Sequence, residues 1–306
     1  MVMTSRVEEL PVSSGEPAAP AAGEYQMPKG MWLLRAGIWL TGWVFPTAVA
    51  RLAYRLFATP RYRARHRVSD ELLESARIFE VMYGGQLLKA YEWGEGTRTA
   101  LLVHGWESRG TGLRSFVPGL LEQGWRVVAF DGPAHGDSPG KRTNLVHFAG
   151  AVRAVIRHVG GVDAVIAHSF GGASTVFALA HSRPPIEVGR LVLIGAPAST
   201  LNVVRGVMDQ FSVPRPARRK FIELMQGKLK GIPLEEVELA NLAPKVRIGE
   251  VLIVHDREDP VVPFSSAQTI HQSFEKARLL VPRGLGHYRL MKHPAVIERV
   301  VHFVTA

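Results

Sequence analysis

The sequence predicts an α/β protein with a mostly parallel central sheet and helices on both faces. Two observations carry this. Short, continuous apolar runs recur: TALLVHG, WRVVAFDG, VDAVIAHS, RLVLIGAP, EVLIVHD and ARLLVP. Between most of them lie segments of helical character, such as Leu113–Gln123 and Leu145–His158. Strands buried on both faces need no polar alternation, and parallel neighbours need crossovers of helix length.

The elements follow in order. Residues 1–30 are rich in Pro, Ala, Gly, Ser and Glu without periodicity, which predicts a disordered leader. Residues 31–75 are expected to form a hydrophobic, basic helical segment. Its uncharged run between Arg35 and Arg51 is 15 residues long and contains Pro46, short of the roughly 20 needed to span a bilayer. Three readings stay open for residues 31–57: a helix packed on the domain, a membrane-surface anchor, or a signal segment or true span, since Ala48-Val49-Ala50 has the small residues of a cleavage site. Trp32, Trp39 and Trp43 fall near one face of such a helix.

From residue 76 the rhythm changes. RIFEVMY and QLLKAYEW flank Gly84-Gly85, the signature of a β-hairpin. The strand–helix alternation then runs to residue 306 with one break. Residues 198–248 separate two strands by about fifty residues, far beyond an ordinary αβ loop. This stretch reads as a helical cap insertion over the end of the sheet.

Composition narrows the chemistry. The 306 residues are 46% hydrophobic and 21% charged, as in a globular chain of one large domain with additions or two small ones. There is no cysteine, which excludes disulfides, thiolate metal sites and a cysteine nucleophile. The net charge is +10. Six arginines and no acid lie between Arg51 and Arg67, directly after the greasy segment, and RPARRK forms a second basic knot. Basic residues beside an apolar, Trp-rich stretch suit a membrane surface, contacted through residues 31–67, rather than a nucleic acid. The expected location is the cytoplasm, with or without membrane association; an exported form stays open.

Ligands of parallel α/β sheets bind beyond the carboxyl ends of the strands, and the reactive side chains cluster there. His104, Asp131, the pair His168 and Ser169, then His255, Asp256 and Asp259, and finally His287 each follow a separate apolar run. In AVIAHSFGGAST, Ser169 has Ala167 two residues before it and Gly171 two after. Small residues there allow a sharp strand–turn–helix corner that exposes a nucleophile. The same serine could simply cap the following helix. Neither HExxH nor comparable ligand spacing supports a metal site among His104, His135, His168 and His255, and VPRGLGH lacks GxGxxG spacing. Asp131 reads as a turn former.

Five segments in this order resemble the α/β-hydrolase superfamily, serine esterase and lipase branch, over roughly residues 76–306: LLVHGWES, FDGPAHGDS, AHSFG, HDREDPVVP and GLGHYRL. The serine turn departs from the usual G-x-S-x-G by one methyl, at Ala167. The resemblance implies a Ser169–His287–Asp259 triad, with Asp256 the rival acid, and an oxyanion hole of the Trp106 and Phe170 main-chain N–H groups. It also implies no cofactor, no metal, and a small-molecule ester as substrate. A thioesterase or an aminopeptidase-like amide hydrolase is the alternative within the enzyme class. The alternative outside it is an inactive, membrane-docked binding protein. Since the candidate chemistry lies beyond residue 100, removing residues 1–57 is expected to spare hydrolysis. Oligomeric state is not legible.

Overall fold

The computed structural model describes residues 7–10, 31–64 and 70–306. Its strands are β1 (Val7–Leu10), β2 (Arg77–Tyr83), β3 (Gln86–Trp93), β4 (Thr99–Val103), β5 (Arg126–Phe130), β6 (Ala164–His168), β7 (Glu187–Ile194), β8 (Arg247–Val254) and β9 (Ala277–Pro282). They form one sheet in the order β1-β9-β8-β7-β6-β4-β5-β3-β2. Pairing is antiparallel only around the β2–β3 hairpin, on both sides of β3, and parallel elsewhere.

The helices in chain order are α1 (Met31–Val44), α2 (Pro46–Phe57), α3 (Glu71–Glu74), α4 (Val117–Glu122), α5 (Leu145–His158), α6 (Phe170–Ala180) and α7 (Thr200–Gln210). They continue with α8 (Arg215–Lys228), α9 (Leu239–Leu242), α10 (Ser265–Ser273), α11 (Gly286–Arg289) and α12 (Pro294–Thr305). Side chains of a strand point alternately to opposite faces, and the core divides accordingly. Leu101, Val128, Val165, Leu191 and Ile253 join α5 and α6 in one apolar cluster. Their neighbours Leu102, Val127, Ile166, Val192 and Leu252 join α4 and α12 in another. Two apolar layers therefore cover both faces, as the unbroken apolar runs require.

One region departs from the reading of the sequence. Val7–Leu10, which composition assigns to a disordered leader, is a strand paired in parallel with β9, Val7 opposite Leu279. Only Leu10 of VEEL is buried, and Glu8 and Glu9 reach Arg299, Arg257 and Arg283. An edge strand held by one apolar residue and ion pairs leaves no periodic signal. The remaining leader, residues 1–6 and 11–30, lies outside the described residues.

Residues 31–57 are helical, with a break between α1 and α2 where Pro46 opens the second helix. Between β7 and β8 the chain is helical as well, and the two regions meet. Ala50 of α2 packs with Val204 and Met208 of α7 and with Ala217, Phe221 and Met225 of α8 in a third apolar cluster. Tyr54 and Phe57 place their rings 5.7 and 5.9 Å from that of Phe221. At Gly42 any side chain would strike Pro214, whose Cγ would lie 2.6 Å from an added Cβ, so glycine lets α1 approach α8. Among the described residues no helix is long and apolar enough to cross a membrane.

Candidate active site

Ser169 follows β6 and stands at the N-cap position of α6 with φ +52°. A β-carbon makes this left-handed region costly, so the surrounding structure must hold it there. Gly171 shows how: an added Cβ would lie 2.4 Å from the His104 carbonyl oxygen and 2.6 Å from that of Val103. The start of α6 is thus pressed against the end of β4. Ala167 is buried in the core, so its methyl fits where glycine is usual.

Ser169 stands where a helix cap would but does not act as one. It makes no capping hydrogen bond. Ser199 at α7 and Asn144 at α5 do cap, accepting from Asn202 N and His147 N at 2.9 Å each. The Ser169 Oγ lies 3.0 Å from Nε2 of His287 instead.

His287 comes from α11, just after β9. Its Nδ1 lies 2.6 Å from Asp259 Oδ2. The other Asp259 oxygen accepts from the main-chain N–H groups of Val261 and Val262 at 2.8 and 2.9 Å. Burial pushes the Asp259 carboxyl up, but the hydrogen bond and charge of His287 and these two amides outweigh it, and the group lies below the ordinary carboxylate value. An ionised Asp259 fixes the proton of His287 on Nδ1 and leaves Nε2 free to accept from serine.

Trp106 and Phe170 stand on either side of the nucleophile. Phe170 is the first residue of α6, and an added Cβ on Gly105, next to Trp106, would lie 3.1 Å from Ser169 Cβ. The Trp106 and Phe170 rings meet edge-on at 5.3 Å, and Phe148 and His135 extend this aromatic wall. Among the described residues neither the Trp106 nor the Phe170 main-chain N–H donates a hydrogen bond.

The remaining candidates separate from this chain of three. Asp256 does not touch His287. Its carboxylate accepts from Glu258 N at 2.7 Å, Leu285 N at 2.5 Å and Gly286 N at 2.9 Å. Asp131 accepts from Asp137 N within the turn that follows β5, and also from Gly110 N and the Tyr91 hydroxyl, which lie far from it in the chain. His104 accepts from Gly132 N on Nε2, so its Nδ1 carries the proton and donates to Gly105 O. Burial lowers it to about 4. His168 is lowered to about 3, by burial first and then by the adjacent His287. No group of three metal-binding side chains converges among the described residues.

Two functional contacts escaped the sequence reading. Asp256 ties the acid loop to the histidine loop across 29 residues, and His168 Nε2 meets the His287 carbonyl oxygen at 3.1 Å. Both follow strand ends, which is a usable signal. Their partners lie far along the chain, which is why spacing does not reveal them.

Residues 101–241 match the family described as alpha/beta hydrolase fold, and residues 229–306 match TAP-like protein. A non-heme haloperoxidase of Rhodococcus erythropolis is 34% identical over 241 residues, 64% of this chain and 87% of that protein. A 2-hydroxy-6-oxo-2,4-heptadienoate hydrolase of Pseudomonas putida is 27% identical over 274 residues, 74% of this chain and 95% of the relative. An esterase of Pyrococcus furiosus shares the fold with a TM-score of 0.61 at 18% identity, over 81% of this chain and 96% of that one.

Proposed function

The chain belongs to the α/β-hydrolase family, and from that premise we propose that it is a serine hydrolase that cleaves carboxylic esters. One observation carries the reading: the unbroken line from Ser169 Oγ through the His287 ring to the Asp259 carboxylate, at 3.0 and 2.6 Å.

Each group has a step. Ser169 Oγ attacks the acyl carbon as His287 Nε2 takes its proton. The charge that develops on the carbonyl oxygen meets the Trp106 and Phe170 N–H groups. The imidazolium, held by Asp259, gives its proton to the leaving alcohol, and an acyl ester of Ser169 remains. Water activated by the same imidazole then releases the acid. Each oxyanion donor contributes about 10² to 10³ in rate. The aromatic wall of Trp106, Phe170 and Phe148 supplies an apolar boundary for the acyl or alcohol group.

An aminopeptidase needs free carboxylates to receive a peptide's amine. The insertion does carry Glu235, Glu236 and Glu238. Glu236 pairs with Lys245, and Glu238 accepts from Ser199 Oγ, so two of these are already engaged. This supports the ester reading over the amide one.

The deciding experiment is labelling with a fluorophosphonate probe, followed by turnover of p-nitrophenyl esters of graded acyl length. A thioester and 2-hydroxy-6-oxo-2,4-heptadienoate serve as comparison substrates. Labelling at Ser169 with ester turnover is expected. An unlabelled, folded protein overturns the enzyme reading in favour of the inactive binding protein. Labelling with a preference for either comparison substrate overturns the ester assignment alone.

A further inference from the structure

We propose that the outer face of α1 and α2 is a docking surface for an anionic lipid bilayer. The first observation is apolar exposure. Trp32 is 67% exposed, Trp39 52% and Trp43 50%, and Leu33, Leu40 and Phe45 lie between 59% and 62%. Soluble chains rarely leave so many large apolar side chains contiguous and uncovered. The inner side of the same hairpin is anchored, with Gly42 of α1 against Pro214 and Ala50 of α2 buried against α7 and α8. The exposure is therefore a property of a fixed surface, not of an undocked segment.

Charge identifies the partner. Residues 31–64 contain five arginines and no acid. Arg51 and Arg55 lie exposed on α2, with Arg215 and Arg219 exposed on the neighbouring α8. Among the described residues none of these four has a carboxylate partner. Beside Trp39 and Trp43 a cleft of about 520 Å³ opens against the α7–α8 corner, with Arg215 on its wall beside Arg218, which is paired with Asp209. Indole rings favour the headgroup level of a bilayer, and unpaired cations around them meet anionic headgroups. A second copy of this face would bring like charges together, and the aliphatic Leu33, Leu34, Leu40 and Val44 beside the indoles suit lipid rather than a nucleic acid.

The surface is also tied to the candidate site. The chain leaving α2 reaches Arg61, whose main-chain N–H donates to Glu107 Oε1 at 2.7 Å. Glu107 directly follows Trp106. Docking therefore fixes the orientation of the site's rim to the lipid. It does not depend on which bond the site cleaves.

The test is flotation of the full chain with phosphatidylcholine vesicles, with and without phosphatidylglycerol. The Trp39→Ser/Trp43→Ser and Arg51→Gln/Arg55→Gln variants are run alongside, each checked by thermal melting. The wild type is expected to float with anionic vesicles only, to be released by salt, and to lose indole fluorescence to brominated lipid. That last readout needs no variant. Each double variant is expected to bind at least about tenfold more weakly. No flotation of the wild type, or equal flotation of wild type and folded variants, overturns the proposal. Self-association without flotation, abolished by the tryptophan substitutions, overturns it in favour of a dimer face. Flotation on neutral vesicles that salt leaves unchanged overturns the role of charge.

Discussion

Asp256 and Asp259, three residues apart on one loop, hold opposite parts of the histidine segment. Asp259 Oδ2 meets the His287 ring at 2.6 Å, while Asp256 Oδ2 accepts from the main chain of Leu285 and Gly286 just before it. One carboxylate sets the ring's tautomer and the other sets where the ring stands. This division suggests how the two would respond to substitution.

Asp259→Asn is expected to cost about 10⁴ in kcat, because an amide favours the wrong imidazole tautomer. Asp256→Asn keeps a hydrogen-bond acceptor but loses its charge, so it should lower stability by about 1–3 kcal/mol and kcat far less. Steady-state kinetics with urea unfolding on both variants measures this. A larger kcat loss in a folded Asp256→Asn protein would reverse the assignment.

Ser169→Ala should abolish ester turnover and probe labelling with the fold intact. Ser169→Gly should do the same and raise stability by about 1 kcal/mol, since glycine adopts φ +52° without strain. Thermal melts of the two variants distinguish held strain from a relaxed turn. An unchanged melting temperature in the glycine variant rules the strain out.

At Gly171 an added methyl meets main-chain oxygens that cannot move aside. Gly171→Ala should therefore displace α6 and disable Ser169, losing at least about 2 kcal/mol of stability. Ala167→Gly, two residues before the serine, should leave activity within a fewfold of wild type. Parallel activity and unfolding measurements check the contrast.

Stability should fall on acidification. Burial holds His104 at about 4 and both His135 and His168 at about 3, against an ordinary 6.5. Their neutral forms favour the fold fully above about pH 6.5, where neither state is protonated. Below that the unfolded chain binds protons the folded chain refuses, so stability drops towards pH 4, by about 1.4 kcal/mol per pH unit for each histidine. Asp259 acts lower down, stabilising above the ordinary carboxyl value of 3.8 and losing that effect as pH falls through its lowered one. Urea unfolding between pH 7 and 5 should show the slope, and His168→Asn should reduce it by about one proton. A flat profile contradicts this.

Removing residues 1–57 is expected to cost stability even where it spares the chemistry. It would uncover Phe221, Met225 and Ala217, which α2 buries. The truncated chain should aggregate or melt lower, as size-exclusion chromatography and thermal melting would register. Full solubility of the truncated form would contradict the packing.

How much was legible follows from these same residues. Ser169, Asp259 and His287 follow separate apolar runs, and a parallel sheet gathers such ends to one rim. Singling them out from His104, Asp131 and Asp256 on that rim rested on the resemblance to the family's loops. The parallel sheet was legible because strands buried on both faces are continuously apolar. Asp256 was legible as a residue but not in its role, since its partners lie 29 and 30 residues on. The helices at 31–57 were legible as helices. Their attachment to α8 was not, because it rests on a missing side chain at Gly42 and on a surface assembled from residues 204–225.

The pairing of β1 with β9 sets an order of events during synthesis. Val7 lies opposite Leu279, so this edge cannot close until the ribosome has made residue 279. Until then Val7–Leu10 waits without its partner. Once β9 arrives its outer edge is open, and an open edge invites strands from other nascent chains. Glu9, drawn to both Arg257 and Arg283, then latches together the two loops that carry Asp259 and His287. A strand made long before its partner thus becomes a late fastening of the candidate site.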